Sequence, residues 1–389
     1  MPYPTHPRHT AAILGPVTAY VCSRCRVHSP TDALTWCCPT CRGPWDLDFT
    51  PPPPSLPPLA SLASRVNSLW RYAEALPPMP YGPEVTLGEG RTPLVPLTES
   101  VSAKLDFLMP TLSFKDRGAV MLAAHALRLA RAGALDRVVA DSSGNAGTAI
   151  AAYGARAGLD TLVYVPEGTS PKKLEQIRAH GARVVEVPGD REATARAARE
   201  AADAPGTFYA SHVYNPYFLH GTKTYVYELW EELGGRLPDT IVVPVGNGTL
   251  LLGAALALGE LRRQGLTDTR PALVAVQAEA VSPLATAFHA GADDISAPAP
   301  SRPTLAEGIA IPAPPRARQI LRAVRGTGGT FLTVTDDQIR TAQRDLAARG
   351  LFVEATGVAC WAAVAAAQQR PGLTVVPLCG AGAKTGPAR

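Results

Sequence analysis

Residues 239–265 read DTIVVPVGNGTLLLGAALALGELRRQG. The β-branched opening predicts a strand, Gly246-Asn247-Gly248-Thr249 a tight turn, and the leucine- and alanine-rich remainder a helix. The same order recurs upstream. DRVVAD precedes a Gly/Ser turn and the helix AGTAIAAYGARAG, which Gly158 ends. DTLVYVPEG leads to a helix near SPKKLEQIRAHG and then to ARVVEVPG; PALVAVQAE, GTFLTV and LTVVPLCG are further short strands. Strands alternating with helices imply parallel sheets covered on both faces, an α/β fold. No short-period repeat interrupts the pattern.

The chain has 389 residues, 46% hydrophobic and 18% charged, with a net charge of +4. That length suggests two globular domains with an appendage, and the composition is that of a folded protein. The charge is small and no dense Lys/Arg run occurs, so nucleic acid is not an expected partner. The N-terminus MPYPTHPRHTAAILGPVT has no apolar signal-peptide core, and no stretch reaches membrane-spanning length. The expected location is the cytoplasm, with no membrane partner.

Five of the seven cysteines fall within residues 22–41. Cys22-x-x-Cys25 and Cys38-x-x-Cys41 offer four thiolates for a tetrahedral Zn²⁺, with Cys37 and His28 as spare ligands; a redox-active pair is the alternative. Four soft ligands would leave no open position, so the metal would be structural. The expected units are a zinc ribbon at 17–48, a Pro-rich linker at 49–69 and a catalytic region at 70–389. Consecutive prolines in TPPPPSLPPLASLA read as an extended, semi-rigid spacer.

LSFKDRGAV at 112–120 stands before the apolar run VMLAAHALRLARAG. Ser113 suits a helix N-cap with Asp116 in capping-box position, which puts Lys115 in the first turn. There the helix dipole and apolar surroundings both favour a neutral amine, which can form an imine with an aldehyde. The turn at 246–249 can bring backbone N–H groups to a phosphate, although it is neither a P-loop nor a full GxGxxG. DSSGNAG places Ser142, Ser143 and Asn145 at a strand's C-terminal end, where they can bind a carboxylate or a phenolic oxygen. PLCGAGAKTG adds Cys379 near the C-terminus. An aldehyde partner, a phosphate cradle and polar turns together suggest pyridoxal 5′-phosphate (PLP).

LGEGRTPLVPL, SFKDRGA, SSGNAG, VPVGNGT and CGAGAK together resemble the fold type II PLP enzymes, and within them the threonine synthase family. The resemblance spans residues 18–389. It implies two three-layer parallel-sheet domains, the smaller at about 105–220 inserted in the larger, with PLP between them; it also admits a homodimer. Lys115 would hold PLP and shuttle protons, with Phe114 beside the ring and Asn145 on the phenolic oxygen. Gly246, Asn247, Gly248 and Thr249 would cradle the phosphate. Cys379 would stand beside the pyridine nitrogen, where relatives use Ser or Thr, and Ser142 and Ser143 would hold the substrate carboxylate. Glu354 matches an acidic position before a small-residue helix. The implied reaction converts O-phospho-L-homoserine and water to L-threonine and phosphate.

The pattern departs from that family at three places. Phe218 stands where NPxRLEGxKT would carry an arginine for the substrate phosphate, leaving His220 or Lys223 to compensate. Leu112 replaces a glycine, and TLAEGIA at 304–310 is closer to amino-acid dehydratases. Other readings are a PLP-dependent ammonia-lyase or β-replacement enzyme, and a catalytically silent zinc-ribbon interaction protein. His125 and Cys360 read as core residues, Asp336 and Asp337 as first-turn helix charges, and 191–200 as a solvated helix face.

Overall fold

The computed structural model describes residues 19–300, 302–367 and 371–387. The N-terminal stretch read for targeting, the first two residues of the expected ribbon (17–18) and residues 388–389 lie outside the described residues. Two sheets carry the body. In the larger, the strands run Thr330–Val334, Ala272–Ala278, Thr240–Pro244, Thr374–Pro377, Val101–Lys104 and Leu94–Pro96 across the sheet. All neighbours are parallel except the last pair. The smaller sheet runs Arg183–Val187, Thr161–Pro166, Arg137–Ala140 and Thr207–Tyr209, all parallel.

Parallel strands need helical crossovers, and the helices cover both faces. Ile241, Val242 and Val243 are accordingly buried on either side of the sheet, as are all seven residues of Ala272–Ala278. This explains why these segments read as continuous apolar runs rather than alternating ones. Each strand's C-terminal end opens into a polar turn and a helix. Those turns from the two sheets face one another.

A third sheet is antiparallel, ordered His28–Pro30, Ala19–Cys22, Trp45–Leu47. It is docked on the body. The Tyr20 hydroxyl and His125 Nε2 pair at 3.0 Å. Trp36 Nε1 donates to Asp203 at 2.8 Å, and Arg316 reaches Asp46 at 2.8 Å from the larger-sheet unit. His125 is therefore a core group, as its apolar helix suggested, and burial holds its proton affinity far below the ordinary range, at about 3.

The Pro-rich segment is not a free spacer. Leu56 and Leu62 are buried among Trp230, Leu237 and Leu261, and Gln264 Oε1 accepts from the backbone of Ser55 and Leu56 at 2.9 and 3.2 Å. The prolines donate no backbone hydrogen bonds, but the leucines between them supply apolar anchors strong enough to pin the segment to the body. Among the described residues no helix is long and apolar enough to cross a membrane.

Candidate active site

The helix Lys115–Arg131 begins one residue later than a Ser113 cap requires. Ser113 pairs as an isolated bridge with Gly380, and Phe114 N–H donates to the Cys379 carbonyl at 2.9 Å. The backbone that would have capped the helix is thus committed to the C-terminal segment. Ser113 Oγ is buried without a hydrogen-bond partner. Asp116 makes no capping box either: its carboxylate accepts from the Thr111 N–H at 2.6 Å and from the Thr111 hydroxyl. Burial raises its pKa to about 7.

What fixes the lysine is Arg117. Its guanidinium bonds Asp106 at 2.9 and 2.8 Å and Glu228 at 2.6 and 2.9 Å, all fully buried. Lys104 adds a second cation to Glu228 at 2.9 Å. Lys104 also bonds Glu232 at 2.9 Å. Two cations thus meet three carboxylates, and with the planar bidentate geometry of Arg117 they form a hydrogen-bonded network that clamps the helix start. Gly118 permits a close approach on the same turn, since a Cβ there would lie 2.3 Å from the Phe218 ring.

Lys115 points into a cleft between the two sheets. Its amine lies 4.3 Å from the Phe114 ring centre and 5.9 Å from that of Phe218. Lys104, Lys173, Lys223 and Lys384 each hold a carboxylate or carbonyl partner. Lys115 has no hydrogen bond or ion pair among the described residues. Desolvation lowers its pKa from the ordinary 10.5 to about 8, against the opposing charges of Cys379 and Glu354 and with help from Arg191. An unpaired amine of reduced basicity is the form that attacks a carbonyl.

The cleft collects every cofactor and substrate residue expected from the sequence. Phe114, Lys115, Ser142, Ser143, Asn145, Gly246, Asn247, Gly248, Thr249 and Cys379 all line it. Three helices begin there, Lys115–Arg131, Asn145–Arg156 and Thr249–Arg263, and none has a side-chain cap. Their N-termini direct partial positive charge into one cavity, the electrostatics an anionic ligand requires. Gly248 has φ 72°, and a Cβ on Gly246 would lie 2.8 Å from Ile311 and 2.9 Å from Ile309 Cα, so the turn hugs its neighbours with no side chain on either glycine. That bare cradle fits a phosphate, and the free amine fits an aldehyde; the residues present suit PLP. Burial holds the Cys379 thiol well above its ordinary pKa, hence neutral.

Long-range partners of this site were invisible in the local patterns. Asn145 Nδ2 donates to both Glu354 oxygens at 3.0 Å, and Asn145 Oδ1 accepts from Lys384 at 2.7 Å. His212, Lys173, Arg191, Glu307 and Thr356 also line the cleft. His212 is buried and sits 3.5 Å from Asn247 Nδ2; burial, then the charges of Lys115 and Arg191, keep it neutral. Arg191, expected on a solvated face, is exposed, and as first residue of the helix Arg191–Ala202 it also lines the cleft. His220 and Lys223 do not compensate for Phe218. The His220 ring packs 5.5 Å from that of Phe49, and Lys223 binds Glu260 at 3.0 Å and the Ala75 carbonyl at 2.7 Å, because the helix Tyr217–Thr222 is buried all round.

In the ribbon, the sulfurs of Cys22, Cys25, Cys38 and Cys41 all lie within 4.8 Å of one another. Backbone N–H groups of Arg24 and Cys25 point at Cys22 Sγ from 3.4 and 3.5 Å. Four convergent thiols suit a tetrahedral metal. Cys37 is not among them; it packs beside Trp36 and Tyr209.

A family model described as pyridoxal-phosphate dependent enzyme matches residues 85–380. The chain is 33% identical to a threonine synthase of Methanosarcina acetivorans, over 87% of this chain and 84% of that protein. It is 34% identical to a threonine synthase of Synechocystis sp., over 79% and 80%. Among solved structures, a threonine deaminase of T.th. aligns with a TM-score of 0.61 and 28% identity, covering 74% of this chain and 92% of that one. A maize serine racemase shares the fold at a TM-score of 0.63 and 22% identity, over 75% and 88%. With the free lysine and the bare glycine cradle facing one cleft, these likenesses place the chain in the pyridoxal-phosphate dependent enzyme family, among the threonine synthases.

Proposed function

We propose that this protein converts O-phospho-L-homoserine and water to L-threonine and phosphate, with Lys115 carrying PLP. The observation that supports it most is the Lys115 amine, left unpaired where three uncapped helix N-termini converge. When bound, the cofactor supplies an electron sink for charge developing at Cα and Cβ. The chain's own residues do the rest. The Lys115 amine moves protons at Cα and Cβ, and a basicity near 8 suits it to both giving and taking. Ser142, Ser143 and the N-terminus of the Asn145 helix receive the substrate carboxylate. Gly246, Asn247, Gly248 and Thr249 receive the cofactor phosphate.

Asn145, whose amide is bonded to Glu354 and Lys384, would hold the phenolic oxygen through its Nδ2. Cys379, a neutral thiol, would face the pyridine nitrogen and would give it no strong acid partner. The rings of Phe114 and Phe218 lie beside the amine, 4.3 and 5.9 Å from it. Cys22, Cys25, Cys38 and Cys41 hold a structural Zn²⁺. None of the seven cysteines is paired in a disulfide, which suits a reducing compartment such as the cytoplasm.

The test is a product assay with purified holoenzyme on phosphohomoserine, serine, threonine and diaminopropionate. Threonine and phosphate released in equal amounts from phosphohomoserine support the proposal; no turnover at millimolar substrate ends it. A second reading, an ammonia-lyase acting on an uncharged amino acid, is favoured by Phe218 at the arginine position, and 2-oxo acid release from serine or threonine would support it.

A further inference from the structure

The threonine synthase reading needs a cation for the substrate's own phosphate, and the segment expected to provide it does not. Phe218 is 1% exposed, and Lys223 is already bound to Glu260. Among the described residues, the cleft is lined besides Lys115 by two cations, Lys173 and Arg191, both from the smaller-sheet unit. The cradle at Gly246–Thr249 comes from the larger-sheet unit, so the cations are separate from it in the fold.

Arg191 has the form of a receptor. It opens the helix Arg191–Ala202, whose cap is the Asp190 carboxylate accepting the Ala193 N–H at 2.8 Å. Arg191 is exposed and has no hydrogen bond or ion pair among the described residues; its charge opposes the burial that raises the proton affinity of Asp141. On the same helix Arg199 pairs with Glu192 at 2.6 Å, while Arg191 and Arg196 are exposed and unpaired among the described residues; of these arginines only Arg191 lines the cleft. The charge is felt inside the cleft, where it lowers the proton affinity of Lys115 and His212. Lys173 reaches from the smaller-sheet unit to Glu307 of the larger one, 2.9 Å apart and partly exposed. A dianion entering the cleft would compete with Glu307 for Lys173.

We propose that Arg191 and Lys173 form a second anion receptor in the cleft, which takes the phosphate of a phosphorylated amino-acid substrate in place of the arginine that Phe218 displaces. The inference rests on the reading of the chain as a threonine synthase. A guanidinium binds two phosphate oxygens through its planar fork, whereas Lys173 contributes a point charge.

The probe is inorganic phosphate, titrated by calorimetry into PLP-loaded enzyme, whose cofactor site is already filled. Wild type is compared with Arg191→Gln, Arg191→Lys and Lys173→Gln. Arg191→Gln weakens phosphate binding by about 10- to 100-fold, the loss expected for a charge-assisted bidentate contact. Arg191→Lys recovers part of it, and Lys173→Gln costs less. In turnover, Arg191→Gln raises KM for phosphohomoserine with a smaller change in kcat. Phosphate binding that is absent in wild type, or equal in all four proteins, overturns the receptor. Threonine formed by Arg191→Gln at an unchanged KM also overturns it while leaving the reaction standing. Phosphate binding that depends on Arg191 in an enzyme inert towards phosphohomoserine upholds the receptor and removes the reaction.

Discussion

Replacing Lys115 by methionine should stabilise the cofactor-free protein, and by an amount that depends on pH. The folded state lowers the lysine pKa from 10.5 to about 8. At about 1.4 kcal/mol per pH unit this sets a ceiling of about 3.5 kcal/mol. Lys115 opens onto the cleft, so solvent screening reduces the expected figure to about 2 kcal/mol. The sign follows from which state binds the proton. Below pH 8 the amine is charged in both states, and the folded protein carries the full desolvation penalty. Between 8 and 10.5 the folded amine is neutral while the unfolded one keeps its proton, so the penalty fades as pH rises. Lys115→Met should therefore gain about 2 kcal/mol at about pH 7 and only about 0.5 kcal/mol near pH 10. Urea unfolding of both stripped proteins at the two pH values reads this directly. An equal gain at both pH values, or a loss at about pH 7, would refute the idea that the fold holds this amine under desolvation.

The other expectations concern what surrounds that amine. Glu354 raises the Lys115 proton affinity, so Glu354→Gln should move the midpoint for PLP capture by the stripped protein below 8, read as the capture rate against pH. Arg117→Met leaves Asp106 and Glu228 carboxylates buried with less cation, and should cost about 3–5 kcal/mol in urea unfolding. A strong chelator should loosen the ribbon and shift tryptophan emission to the red as Trp45, 1% exposed, meets water; added Zn²⁺ should reverse it.

The parts of the fold written in short-range pattern could be read from the chain. Continuous β-branched runs bounded by glycine turns placed the strands, because strands buried on both faces must be apolar throughout. The lysine and the three polar turns were likewise legible, since each turn's chemistry sits within a few residues. What escaped depends on separation in sequence. Asn145 meets Glu354 and Lys384 across 209 and 239 residues, and no local pattern encodes that. Ser113 has the composition of a cap, but its backbone was claimed by Gly380. Arg191 belongs to a helix whose charge alternation reads as solvated, and it is exposed; only the tertiary fold makes this first residue line the cleft as well. Leucines hidden between prolines turned an apparent spacer into part of the core.

The central claim is that Lys115, and no other amine, captures the cofactor aldehyde. Reducing PLP-loaded protein with borohydride and mapping the labelled peptide tests it. The account predicts one pyridoxyl group per chain, on Lys115, and none after Lys115→Ala. A label on Lys173, Lys384 or any other amine, or a protein that takes up no PLP, would contradict it.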